Sequence, residues 1–179
     1  MIQKKDKSIL VFRFSALGDI AMTIPVLRSF FNTYPNQKII FVSRGFVQPL
    51  FKEFENLEFV SVDFNNDFKG LKGLFKLFKS LRKNKIKAVA DLHNVLRTKI
   101  LKTLFKMVFI NVQSIDKGRA ERKKLTKKKN KKFKPLTPIH YRYCDVFGRL
   151  GFPIDLANHE YPIKPYLPEN SEEQKVLAK

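Results

Sequence analysis

The sequence predicts an α/β domain built on a parallel sheet with helices on both faces. Between residues 9 and 115, short β-rich apolar runs alternate with stretches of helical period. Short polar turns join them, too short to carry anything but tight crossovers. With 44% hydrophobic and 13% aromatic residues, the 179-residue chain can bury a core, which argues against global disorder.

Taken in order, residues 9–14 (ILVFRF) form the expected first strand, closed by Ser15 and Gly18. Residues 20–34 follow as a helix, stopped at Pro35-Asn36. Pro25 does not suit a helix that begins at Ile20, because it would remove a hydrogen bond and kink the chain unless the first turn is irregular. Residues 38–43 (KIIFVS) are the second strand, 47–54 a short helix and 58–64 (EFVSVDF) the third strand. Residues 68–84 are the clearest helix: Leu71, Leu74, Phe75, Phe78 and Leu81 keep helical spacing, and lysines take most other positions. Such a basic amphipathic helix either covers a sheet or lies on an anionic membrane. Residues 87–93 (KAVADLH) give a fourth strand, 95–106 a helix, and 108–115 (VFINVQSI) a fifth strand. Residues 140–151 (HYRYCDVFGRLG) read as a helix with a glycine C-cap. From residue 162 the chain is proline-broken and turns acidic, as a linker before the first turn of a new helix does.

The 36 Lys+Arg against 16 Asp+Glu give a net charge of +20, and the pI is near 10.1. A field of that sign favours polyanions: nucleic acid, acidic lipid or phosphorylated sugar. A lysine-rich compositional bias is the competing account. The charge is uneven, however: residues 117–134 hold eleven Lys/Arg and one Glu, a net +10 in a tenth of the chain. The lone cysteine, Cys144, rules out an intramolecular disulfide and suits a reducing compartment. No apolar run approaches the ~20 residues that cross a bilayer, and the lysine-rich start lacks a signal-peptide core. These features suggest a cytoplasmic protein.

In open parallel sheets ligands bind beyond the carboxyl ends of the strands. Three polar clusters fall there: Ser15 to Asp19, Ser43-Arg44-Gly45, and Asp91 to Arg97. The first, SALGD, has one glycine, so it fits neither the dinucleotide fingerprint nor a Walker loop. Asp19 has two readings. It caps the following helix, worth about 1 kcal/mol, or it is a general base that takes a proton from a substrate hydroxyl. His93 likewise either contacts a ligand or packs and caps. Arg97 suits a phosphate or carboxylate. His140 and His159 show no metal or acid–base spacing, no Cys/His cluster suggests a metal, and Cys144 reads as packing.

The stretch ILVFRFSALGDIAMTIPVLRSF resembles the opening of the ADP-heptose:lipopolysaccharide heptosyltransferases, glycosyltransferase family 9. That opening is a strand, a small-residue turn ending in Gly-Asp, and a helix with Thr-x-Pro-x-Leu-Arg. Here these are Gly18-Asp19 and Thr23, Pro25, Leu27 and Arg28. DLHNVLRT (91–98), IDKGRAERKKLT (115–126) and HYRYCDVFGRLGFP (140–153) resemble later family segments in the same order. The resemblance implies a Rossmann-like parallel sheet flanked by helices, the amino-terminal half of a GT-B fold. Residues 1–163 would be its acceptor-side domain, and 164–179 an interdomain linker and the start of a carboxy-terminal donor-binding domain. It implies an inverting transfer of a heptose or related sugar from a nucleotide-sugar, ADP-heptose in this family, to a lipopolysaccharide inner-core acceptor. The donor is a substrate, and no cofactor or metal is needed.

By the same resemblance Asp19 is the catalytic base. The acceptor, a lipid A-core glycolipid carrying phosphates and acidic sugars, would meet Ser15, Gly18, His93, Arg97, Lys117, Arg119 and Arg122. The guanidiniums suit bidentate pairing with those groups. Lysines 123–134 would be a loop drawn to anionic lipid at the inner face of the cytoplasmic membrane, or a solvated loop without a partner. The donor would be held by a domain these residues lack, so the chain is expected to be an amino-terminal fragment without transfer activity of its own. Two other classes stand beside this reading. One is a basic nucleic-acid-binding module, disfavoured because the aromatics sit in core-patterned positions. The other is a phosphate-ligand-binding domain without catalysis.

Overall fold

The computed structural model describes residues 7–126 and 135–158. The lysine-rich residues 127–134, His159 and the expected linker at 164–179 lie outside them. Five strands, β1 (Ser8–Phe12), β2 (Ile39–Ser43), β3 (Leu57–Ser61), β4 (Ile86–Asp91) and β5 (Asn111–Ser114), form one all-parallel sheet in the order β3-β2-β1-β4-β5. Among the described residues six α-helices accompany it: α1 (Leu17–Ala21), α2 (Ile24–Thr33), α3 (Gly70–Leu81), α4 (Leu96–Met107), α5 (Arg119–Leu125) and α6 (Ile139–Arg149). The expected α/β class is the observed one.

β1 is the centre of the sheet and is buried along its whole length. Its side chains alternate between two cores, as the two-residue period of a strand requires. Ile9 and Val11 join α2, α6 and a 3-10 turn at Gly45–Phe51 on one face. Leu10 and Phe12 join α3 and α4 on the other. No helix of the described residues is long and apolar enough to cross a membrane.

The expected helix at 20–34 is two helices. α1 ends at Ala21 and α2 begins at Ile24, so Pro25 falls in the first turn of α2, where no helical partner is lost. Thr23, 1% exposed, stitches the break by donating its hydroxyl to the Ile20 carbonyl at 2.6 Å. Arg28 forks onto Glu53 at 2.9 and 2.8 Å. These two members of the Thr-x-Pro-x-Leu-Arg stretch therefore hold structure.

α3 is rotated from the expected stripe. Its buried side chains are Leu74, Leu77, Phe78 and Leu81, whereas Leu71 and Phe75 face solvent. Gly73 fixes that rotation, because a Cβ there would collide with the Phe68 backbone. Only glycine lets the helix approach the chain that leads into it. The helix thus covers the sheet, and two large apolar side chains remain outside.

The strands stop short of the expected runs at 9–14, 58–64 and 87–93. The residues left over at their carboxyl ends, Arg13, Phe14, Val62 to Phe64, Leu92 and His93, form loops. β5 starts three residues late because α4 runs to Met107 and the chain turns at Phe109, whose φ is +61°. α5 falls inside the basic stretch that showed no helical pattern of its own. Gly118 caps its start, and its φ of +62° suits glycine. α6 ends as expected: Gly151 has φ +90°, and the Phe152 N–H donates to the Phe147 carbonyl at 2.9 Å.

Phe30 is wholly buried beneath the sheet, its ring against Phe31, Tyr34, Phe147 and Phe152. Phe30→Ala should cost about 3–5 kcal/mol. Urea unfolding checks this as a lower midpoint at unchanged slope.

Candidate active site

The strand order reverses between β1 and β4: the chain builds outward to β3 on one side and to β5 on the other. At such a switch point neighbouring loops leave in opposite directions and open a crevice beyond the strand ends. A pocket of about 520 Å³ lies there. Arg13, Ser15 and Asp19 line it from the β1–α1 turn, His93 from the end of β4, and Lys117, Arg122 and Arg142 from the region after β5.

Arg13 organises this crevice. It directly follows β1 and is 5% exposed, so its charge needs partners inside the protein. One terminal nitrogen donates to the Leu92 carbonyl at 2.7 Å, and the other pairs with Asp19 Oδ2. The guanidinium lies 5.9 Å from the centre of the Tyr143 ring. Asp19 does not cap α1. Ala16 holds that position without a side-chain bond, and Asp19 sits in the first turn, where the helix dipole favours an acid. Its side chain is 46% exposed. Tyr143 on α6 secures the same turn by donating its hydroxyl to the Asp19 carbonyl at 3.1 Å. Burial pushes that phenol up to about 12, so it remains a donor at neutral pH.

Asp91 shapes the opposing loop. Fully buried at the end of β4, its Oδ1 accepts the backbone N–H groups of His93 at 3.0 Å and Asn94 at 2.8 Å. Asn94 turns the chain at φ +47° and donates to the Ile115 carbonyl at 3.0 Å, tying this loop to the end of β5. His93 is thereby held against the β1 loop. Its Nδ1 accepts the Phe14 N–H at 3.4 Å, and Nε2 lies 3.4 Å from the Ser15 hydroxyl. An accepting Nδ1 leaves the single proton on Nε2, the neutral tautomer. Burial, then the charges of Arg13 and Lys117, push its pKa down to about 4.

Lys117 follows β5 and makes no salt bridge among the described residues. Its pKa is lowered by burial, then by Arg13 and Arg119. The pKa values of both bases, His93 and Lys117, are thus lowered by burial first and then by the positive charge around them. The crevice wall is thus lined by positive charge, a field whose sign favours anions. Arg142 closes the wall: it donates to the carbonyls of Thr137 at 3.0 Å and Asp116 at 3.2 Å and pairs with Glu121 at 2.6 Å. Gly118 permits this, since a Cβ there would collide with the guanidinium.

Of the residues singled out by sequence, Ser15, Asp19, His93, Lys117 and Arg122 come together in the pocket lining. Gly18 is exposed in the first turn of α1, with open space on its Cβ side. Arg97 stacks 5.0 Å over the Phe64 ring, and Arg119 is exposed at the start of α5; neither lines the pocket. Sequence reading passed over Arg13, Asp91, Tyr143 and Arg142. An arginine at the end of an otherwise apolar strand was the available signal for the first.

No family model matches the chain, and no curated protein matches it. Solved structures do. The chain is similar to a family 9 glycosyl transferase from Veillonella parvula, with a TM-score of 0.59 and 20% identity, covering 89% of this chain and 46% of that one. It is similar to E. coli heptosyltransferase WaaC solved with ADP-2-deoxy-2-fluoro heptose, with a TM-score of 0.58 and 16% identity, over 83% of this chain and 50% of that one. It is also similar to E. coli ADP-heptose lps heptosyltransferase II, with a TM-score of 0.52 and 18% identity, over 95% of this chain and 49% of that one. The chain spans about half the length of these solved structures.

The free imidazole titrates near 6.5 and the folded one near 4, so acid favours the unfolded chain between those values. The stability contributed by neutral His93 is whole above pH 6.5 and is lost as pH falls toward 4. His93→Asn, which retains an acceptor near Nδ1, removes that titration. The Tm of the wild type should therefore fall toward, or below, that of the variant across this window in a melting series.

The chain carries the Rossmann-like α/β fold of about half of a family 9 glycosyltransferase structure.

Proposed function

We propose that this chain is the acceptor-side domain of an inverting glycosyltransferase of the heptosyltransferase type, with Asp19 as general base. The observation that carries the proposal is the Arg13–Asp19 pair: a half-exposed carboxylate, oriented by a buried guanidinium, at the mouth of a cationic crevice. Arg13 holds one carboxylate oxygen and so fixes the plane of the other. An acceptor hydroxyl within hydrogen-bond reach of Asp19 gives its proton to the carboxylate as its oxygen attacks the anomeric carbon of the donor. The bond from that carbon to the nucleoside diphosphate breaks on the opposite face, and the configuration inverts. On this reading no metal or cofactor takes part, and the nucleotide-sugar, ADP-heptose, is a substrate.

Lys117, Arg122 and Arg142 give the acceptor its sign. They suit a sugar bearing phosphate or carboxylate groups, such as the inner core of a lipid A-core glycolipid presented at the cytoplasmic face of a membrane. Neutral His93 donates from Nε2 toward Ser15 and orients that hydroxyl at the rim. The reading assigns these residues the acceptor wall and the base. Transfer then needs a donor-binding wall from a second domain, and residues 1–179 alone should turn over no nucleotide-sugar.

The test is Asp19→Asn in the whole reading frame that encodes this sequence, measured as nucleoside diphosphate released from ADP-heptose with a lipid A-core acceptor. Asparagine keeps an acceptor for Arg13 but removes its countercharge, so a melting curve of the variant accompanies the assay. The expected result is a fall in kcat of about 10²–10⁴ with acceptor KM little changed. Full turnover by the variant would overturn the assignment. Acceptor binding without turnover in either protein would instead indicate a phosphate-ligand-binding module.

A further inference from the structure

The outer face of α3 has a composition that covering the sheet does not explain. The inward stripe of Leu74, Leu77, Phe78 and Leu81 already fills the core. Leu71 and Phe75, one turn apart at the edge of that stripe, are 63% and 49% exposed. They line a shallow groove with Lys72, Lys76, Lys79 and Lys83, all exposed. A purely solvated helix face gains nothing from a leucine and a phenylalanine in register. A face meant only for soluble polyanions needs no apolar floor.

The charge of α3 and α4 is one-sided, the exposed Asp63 and Asp67 being confined to the loop before α3. Residues 68–115 hold twelve Lys/Arg and a single acid, Asp91, which is fully buried at the end of β4. No carboxylate from α3 or from its neighbour α4 therefore offsets the lysines, and α4 adds exposed Lys99 and Lys106. Apolar side chains amid long cationic ones are what an interfacial helix needs. The apolar groups enter the headgroup–acyl boundary while the lysines, on flexible stems, reach lipid phosphates.

We infer that the outer face of α3 is a membrane-docking surface that seats Leu71 and Phe75 in an anionic phospholipid bilayer, with Lys72, Lys76, Lys79 and Lys83 pairing with its phosphates. This surface is separate from the basic residues after β5, and it stands whether or not the chain is a glycosyltransferase, because vesicle binding requires no transfer.

The chain contains no tryptophan, which provides a clean probe. Phe75→Trp places one fluorophore on the face, and Tyr141→Trp on exposed α6 serves as the control. The vesicles are roughly three parts phosphatidylcholine to one part phosphatidylglycerol. With them, the emission of the Phe75→Trp protein should shift to the blue and be quenched by brominated acyl chains, whereas that of the Tyr141→Trp protein should not. In co-sedimentation, Leu71→Ser with Phe75→Ser should lower partitioning about tenfold or more at unchanged charge. Each of Lys72→Gln and Lys76→Gln should lower it about fivefold, with added salt acting in the same direction. Vesicle binding that the double serine variant retains in full would overturn the inference, since the residues after β5 would then be responsible. So would a bound Phe75→Trp protein whose indole stays water-exposed, no binding to these vesicles, or RNA binding through these lysines without vesicle binding.

Discussion

The site depends on how one buried charge is satisfied. Arg13 leaves β1 into a space that is 5% exposed, and a guanidinium there is tolerable only when its charge and donors are met. It meets them by reaching the Leu92 carbonyl in the β4 loop and the Asp19 carboxylate on α1. Its own backbone is pinned as well: its N–H donates to the Val42 carbonyl at 3.3 Å, and its carbonyl accepts the buried Ser43 hydroxyl at 2.6 Å. One residue thus joins the ends of β1, β2 and β4 to the first helix. Asp19 is aimed because Arg13 cannot do without it. The same charge lowers the pKa of both His93 and Lys117. The residue that orients the carboxylate thus also adds to the positive charge of the crevice.

The architecture was legible because β1, β2 and β4 are short continuous apolar runs, the pattern a doubly covered parallel sheet imposes. Their carboxyl ends were less legible. Phe14, Phe64 and Leu92 are as apolar as strand residues, yet they pack under loops, so hydrophobicity alone extended each strand too far. The α3 stripe was misplaced for a related reason: its apolar arc is wider than the face that packs, and periodicity cannot tell which part of the arc meets the sheet. That choice was made by Gly73 and the Phe68 backbone, a contact no pattern encodes. The crevice itself could be located from topology, and Ser15, Asp19, His93, Lys117 and Arg122 were named from their positions after strands. Arg13 and Tyr143 escaped because they act through partners far away in sequence. Arg13 and Leu92 are 79 residues apart, and Tyr143 and Asp19 are 124 apart.

Compositional bias is a poor account of the basic charge. A bias toward lysine would raise the net charge everywhere, yet outside residues 68–115 and 117–134 the chain has thirteen Lys/Arg against fourteen Asp/Glu. The excess sits in two stretches. One begins beside the crevice and the other builds the α3–α4 layer. Topology relates the two. In a parallel sheet each crossover helix begins at the carboxyl edge of the strand before it, so α3 starts at the edge where the crevice opens. Leu71, in its first turn, lies toward that edge. A bilayer against the outer face of α3 would therefore border the mouth of the crevice rather than its floor. An acceptor rooted in that bilayer by acyl chains would then enter the crevice by its sugar end, where Asp19 and the cationic wall stand. The two basic regions would serve a single geometry, one holding the surface and the other receiving what projects from it.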